Sequence, residues 1–168
     1  MATPSEWYKD TFLISTAKAL LQPSAINAAF DSEQLYWAKA LPEARLQKML
    51  DGSLCFGVYA LPQSSAEIAG RGSPKQIGLA RLITDEVTFA WLTDVYILPE
   101  YQGKGLSTWL IECVNVTLDS WPELRRAMLV TSSGVEFYEK MMGMQKVESG
   151  KGKLSLMGKS GRGSMTKE

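Results

Sequence analysis

The chain contains no histidine, and that absence excludes more chemistry than its length of 168 residues does. Without imidazole there is no Ser-His-Asp or Cys-His nucleophile pair, no imidazole metal ligand and no imidazole general base. Cysteine is scarce as well. Cys55 and Cys113 could form one disulfide at most, and the polar opening MATPSEWYKD has no apolar core of a secretory signal, so a reduced, intracellular, cytoplasmic protein is expected. No apolar run approaches the ~18–20 residues that a membrane span needs. An excess of either charge is also missing, since Lys plus Arg and Asp plus Glu both total 18. The balance gives no reason to expect nucleic acid or a membrane as partner.

What charge there is lies unevenly. Residues 149–168 hold Lys151, Lys153, Lys159, Arg162 and Lys167 against Glu168 alone, a net +4 that leaves −4 for residues 1–148. The expected organisation is one domain over 1–148, followed by a basic Gly/Ser/Lys tail over 149–168 in which LSLM (154–157) could add a last strand.

Along the domain, FLISTAKALL (12–21) suits a strand or a helix, and PSAINAAFDS (23–32) and the stretch from Pro42 to Leu50 read as helices. LCFGVYAL (54–61) reads as a buried strand, and 62–76 as a turn or loop. KQIGLARLITDE and VTFAWLTDVYIL form two strands joined around Asp85 and Glu86, most simply an antiparallel hairpin. From Gly105 to Ser120 the apolar residues Leu106, Trp109, Leu110, Cys113, Val114 and Leu118 mark one face of an amphipathic helix. RRAMLVTS (125–132) suits a buried strand. SGVEFYEKMMG (133–143) carries a capping-box pattern, Ser133 as N-cap with Glu136 three residues later, and closes at Gly143. The expected fold is α/β (α+β), with a mixed, mostly antiparallel central sheet flanked by helices.

The segment VYILPEYQGKGLSTWL (95–110) places a glycine loop between a strand and a helix. Gly103 and Gly105 let backbone amides converge without obstruction, and the helix N-terminus adds partial positive charge, which suits a phosphate. The spacing is neither a P-loop nor a dinucleotide fingerprint. Gln102-x-x-Gly105-x-Ser107 resembles the acyl-CoA loop of the GNAT N-acetyltransferase superfamily, with Ser107 at a position that usually holds glycine or alanine. A second segment, TSSGVEFYEKMMGMQKV (131–147), is similar to that family's closing segment at Phe137, Tyr138, Glu139, Lys140 and Gly143. The resemblance covers residues 75–147 and implies a GNAT-like acyl-CoA N-acyltransferase fold, with acetyl-CoA as cosubstrate and no metal.

It also implies roles for individual residues. The amides of Gly103, Lys104, Gly105, Leu106 and Ser107 would hold the CoA pyrophosphate, and the backbone of Val95, Tyr96 and Ile97 would pair with pantetheine. Thr131 stands where many members have an asparagine that bonds to pantetheine, and Tyr138 matches the tyrosine that protonates the departing sulfur. The family often places its base at the position of Trp91, which cannot accept a proton. Asp94 is then the candidate base, with Asp85, Glu86 or ordered water as alternatives. By alternation Asp94 and Tyr96 share one face of their strand, and Trp91, Thr93, Val95 and Ile97 the other. Trp91 and Tyr96 could line the acceptor channel or pack in the core, and Cys113 is expected in the core. The implied function is direct acetyl transfer to a small-molecule or peptide amine. The alternative is a catalytically weak or inactive CoA-binding regulatory domain, and homodimer formation stays open.

Overall fold

The computed structural model describes residues 4–70, 72–147 and 152–164. In chain order these hold β1 (Glu6–Lys9), β2 (Phe12–Ser15), α1 (Pro23–Phe30), α2 (Glu43–Asp51), β3 (Leu54–Ala60), α3 (Ser65–Ala69), β4 (Lys75–Thr84), β5 (Phe89–Ile97), α4 (Leu106–Asp119), β6 (Arg126–Thr131), α5 (Val135–Met142), β7 (Gln145–Lys146) and β8 (Ser155–Ser160). Eight strands form one sheet in the order β1-β2-β3-β4-β5-β6-β8-β7. Every neighbouring pair is antiparallel except β5–β6. The mixed, mostly antiparallel sheet read from the sequence is thus the observed one.

Apolar clusters cover both faces. On one, Leu110, Ile111 and Val114 of α4 pack on Phe56, Val58, Leu82, Leu92 and Leu129. On the other, Ile26 and Phe30 of α1 and Leu46 and Leu50 of α2 pack on Cys55, Leu79 and Tyr96. The helical stripe of α4 is buried at Leu106, Leu110, Cys113, Val114 and Leu118, as its periodicity requires.

Several local readings are corrected. FLISTAKALL divides into β2 and a 3₁₀ turn over Lys18–Leu20. Part of the polar opening pairs as β1 against β2, and the loop expected over 62–76 contains α3. Ser133 does not cap α5: the N-cap is Gly134, whose N–H donates to Thr131 Oγ1 at 2.9 Å. The cap-like bond therefore comes from the end of β6 and fixes where the chain turns. The strand that LSLM (154–157) could add does form, as Ser155–Ser160, but it lies inside the sheet between β6 and β7 and not at the end of a basic tail. Met157 there is fully buried, and Lys159 uses its charge on Asp119 at 2.9 Å. Residues 149–151 and 165–168 of the stretch 149–168 lie outside the described residues.

Candidate active site

Two breaks in the sheet create an opening at its centre. Pairing between the parallel strands β5 and β6 stops at Leu92–Leu129, although β5 continues to Ile97 and β6 to Thr131. Beyond that pair the two strands part. On its other side, β5 carries a bulge against β4. Between the pairs Arg81–Thr93 and Leu79–Tyr96 it has two residues, Asp94 and Val95, facing Ala80 alone, and Asp94 has φ +52°. A bulge adds a residue and bends the strand.

The bulge also resets the alternation. Ala90, Leu92, Val95 and Ile97 point to the α4 cluster, whereas Tyr96 is buried in the α1/α2 cluster. Trp91 and Thr93 therefore lie with Asp94 and Tyr96, not with Val95 and Ile97 as strict alternation implied. Tyr96, at 5% exposure, is a core residue.

The glycine loop closes one end of the opening. After Ile97 a 3₁₀ turn (Pro99–Tyr101) leads into Gly103 and Gly105, both left-handed at φ +77° and +75°, and then into α4. A side chain built on either glycine would meet nothing within 4 Å. The requirement for glycine is thus conformational, and it leaves open space in front of the amides. No side chain caps α4, so its first N–H groups face that space. Ile97, Tyr101, Gln102, Gly103, Gly105, Leu106, Ser107 and Thr108 line a cavity of about 230 Å³. Gln102 turns back, its Nε2 donating to the Ile97 carbonyl at 3.0 Å, and so ties the loop to the end of β5. Lys104 and Ser107 are exposed and Leu106 is buried. A larger cleft of about 880 Å³ lies elsewhere, by Asn115, Asp119 and Lys159, whose polar groups are bonded to one another.

α5 begins just beyond the end of β6, so Tyr138 stands one turn from the opening. Its ring lies near Gly134, where an added Cβ would meet Tyr138 Cε2 at 3.0 Å and Thr131 Oγ1 at 2.9 Å. Phe137 packs against it edge-on, with centroids 5.2 Å apart. The Tyr138 hydroxyl makes no hydrogen bond among the described residues, and burial pushes it up to about 12. It is therefore a protonated donor at neutral pH. Thr131 Oγ1 accepts from Gly134, which leaves its O–H free to donate.

Asp94, expected as the base, is one half of a buried ion pair. Arg81 Nε donates to Asp94 Oδ2 at 2.8 Å, and Trp37 Nε1 donates to Oδ1 at 3.3 Å. Arg81 Nη1 also donates to Ser53 Oγ at 3.0 Å. Both carboxylate oxygens accept from donors of the protein itself, so the carboxylate ties Arg81 and Trp37 to the bulge. Asp85 is no substitute, because it caps its own turn. It accepts from the amides of Val87, Thr88 and Phe89 and from the Thr88 hydroxyl, which hold it well below the usual carboxylate range. Cys113 is buried in the α4 cluster and its thiol is pushed up to about 11.

The sequence reading missed Arg81, Trp37, Tyr36 and Ser132. A signal existed for the first alone: Arg81 is an isolated charge in the apolar strand GLARLI, and a buried guanidinium requires a partner.

Comparison with known proteins returns one consistent picture. Residues 66–141 match the family described as the acetyltransferase (GNAT) domain. A Gibberella zeae protein provisionally named an acetyltransferase is 44% identical over 150 residues, which cover 84% of each chain. The crystal structure of a protein from Xanthomonas campestris, assigned to the GNAT acetyltransferases, superposes with a TM-score of 0.61 at 34% identity, over 77% of this chain and 81% of that one. Spermidine N-acetyltransferase from Vibrio cholerae, solved with CoA and spermine, shares the fold at 15% identity with a TM-score of 0.60, over 89% and 95% of the two chains. Among the described residues no helix is long and apolar enough to cross a membrane.

Proposed function

This chain belongs to the GNAT acetyltransferase family, and from that premise we propose that it is a single-domain N-acetyltransferase that moves the acetyl group of acetyl-CoA directly to an amine. The observation that carries this reading is the glycine loop. Two left-handed glycines, an uncapped helix N-terminus and open space before them stand beside the strand ends that part at Leu92–Leu129. The family relationship supports CoA as the group that fits there, and open space at both glycines meets the steric demand of a pyrophosphate.

Bound acetyl-CoA supplies a thioester carbonyl and a sulfur leaving group. The amides of Gly103 to Ser107 hold the pyrophosphate, and the backbone of Val95 to Ile97, unpaired with β6, aligns the pantetheine arm. Thr131 donates to that arm from the facing strand end. With acetyl-CoA bound, an acceptor nitrogen that had lost its ammonium proton to water would form the new C–N bond as the C–S bond breaks, and the second proton it sheds on becoming an amide would leave through the same water, balancing the one taken up by the thiolate sulfur. Tyr138 donates a proton or a hydrogen bond to the departing sulfur. Asp94, matched by Arg81, serves as a positioning residue that holds the bulge and Trp37, and the route for the amine proton is through ordered water. Positioning supplies much of the rate, which is how a site without histidine can operate.

Two measurements on the purified chain test this. CoA at a hundredfold excess over Kd should stabilise it by about 2.7 kcal/mol, a rise in Tm of roughly 5–10 °C. Tyr138→Phe should keep that rise while lowering kcat for acetyl transfer by about a hundredfold. A rise in Tm without turnover of any amine, in wild type and variant alike, would assign the chain to CoA binding without catalysis.

A further inference from the structure

The side of the opening away from α4 is crossed by one segment, residues 31–41, which connects α1 to α2. Three side chains strap it down. Gln34 Nε2 donates to the Ile97 carbonyl at 2.8 Å, Trp37 Nε1 to Asp94 Oδ1 at 3.3 Å, and the Tyr36 hydroxyl to Ser132 Oγ at 2.9 Å. Ile97 and Asp94 belong to β5, and Ser132 directly follows β6, so the strap bridges the two strands where they part. Leu35 anchors it, fully buried in the α1/α2 cluster.

Despite three bonds and an anchor, the strap leaves its two large rings in the open. Tyr36 is 67% and Trp37 51% exposed, and they pack edge-to-face with centroids 5.0 Å apart. Apart from Thr93 and the exposed Arg126, the sheet face beside them is apolar as well. Trp91 stands in register between Ile83 and Met128, with Phe89 and Val130 one step along their strands on the same face. Ile83, Phe89 and Val130 are exposed. The polar atoms by which the strap reaches the sheet are already bonded within the protein, and Asp94 is matched by Arg81. Between the solvent-exposed charges of Asp31, Glu33 and Arg126, what this side offers a ligand for close contact is ring faces and aliphatic carbon, with no unmatched buried anion among these residues.

We propose that the acceptor is an arylalkylamine, a single amine on a flat apolar body, which lies against the Tyr36–Trp37 pair and the Trp91–Met128–Val130 face with its nitrogen toward the β5–β6 opening. Flat bodies stack on aromatic rings, and an ammonium gains further from them. A polyamine's second cation would find only the solvent-exposed carboxylates Asp31 and Glu33 on this segment, where an ion pair is worth little, and a peptide would bring main-chain groups to donors already committed. The inference rests on the transferase reading above and adds the substrate class.

The test compares phenethylamine and tryptamine with spermidine and a free N-terminal peptide, by release of CoA thiol from acetyl-CoA. The arylalkylamines should exceed the other two in kcat/KM by about tenfold or more. Trp37→Ala should raise KM for them by a similar factor while kcat changes little, and Trp37→Phe should restore most of it. The CoA-induced rise in Tm, measured on each variant, reports that the fold is intact. Preference for spermidine or the peptide, or a Trp37→Ala loss equal across all acceptors, overturns the acceptor class and leaves the transferase reading standing. No CoA-induced rise, or no thiol release with any amine, overturns the transferase reading and the acceptor class with it.

Discussion

Arg81 and Asp94 illustrate how one buried pair can set the geometry of a site. Their side chains are 11% and 8% exposed and meet at 2.8 Å, and Asp94 occupies a left-handed conformation that few residues other than glycine, asparagine and aspartate adopt. The pair thus holds the bulge from one side and Trp37 from the other. Removing one charge leaves the other buried without a partner, which costs about 3–5 kcal/mol, whereas replacing both with apolar groups costs far less. Arg81→Met should therefore lower the free energy of urea unfolding by about 3–5 kcal/mol, and combining it with Asp94→Asn, which removes the stranded charge and keeps a residue that tolerates the left-handed backbone, should recover part of it. Additive losses in the double mutant would show that the pair is not coupled. The same pair marks the limit of the sequence reading at this scale. Asp94 was legible as the carboxylate on the central strand, but its partner stands 13 positions away and Trp37 stands 57 away. Nothing in the apolar run LTDVYIL announces an extra residue, so the faces were assigned by unbroken alternation.

Elements with local causes were the legible ones. α4 follows from its 3.6-residue stripe, the glycine loop from two glycines before a helix, and the β4–β5 hairpin from two apolar runs around Asp85 and Glu86. That hairpin turn is built on Asp85, whose carboxylate accepts four hydrogen bonds from the three residues that follow Glu86. The Thr88 hydroxyl first, then the amides, favour the charged form, so the folded chain takes up this proton less readily than the unfolded chain. Stability from the turn is therefore complete above the unfolded carboxylate value near 4 and is lost as pH falls below it. Asp85→Asn should be less stable than wild type at pH 7, and the gap should narrow as pH falls from about 5 toward 2. Chemical denaturation at several pH values checks this; a gap of constant size would mean that the carboxylate's charge contributes nothing. The start of α5 was not legible, because the bond made by Thr131 to the Gly134 amide satisfies locally what the Ser133–Glu136 pattern would have done.

For the whole molecule, the decisive feature is β8, the strand that LSLM (154–157) could add, placed inside the sheet and not at its end. Composition alone makes 149–168 a solvated end, since glycine, serine and lysine dominate it. Yet only every second residue of a strand must be apolar, and Ser155–Ser160 satisfies that requirement with Met157. Met157 is fully buried against the α4 cluster and pairs with Leu129 on one side and Lys146 on the other. β8 covers the edge of β6 over its full length, which keeps the strand that leads into Thr131 and α5 from being an open edge. The charge of the segment is also partly internal, because Lys159 meets Asp119 and Asn115. Met157→Ala should therefore destabilise the protein by about 2–5 kcal/mol, the cost of deleting a fully buried side chain. Leu154, one step before the strand and 55% exposed, provides the contrast, and Leu154→Ala should stay within about 0.5 kcal/mol. Urea unfolding of the two variants separates the readings: equal, small effects would make 152–160 a loosely attached end. A large difference would make it the strand through which the far edge of the sheet supports the β6–α5 side of the site.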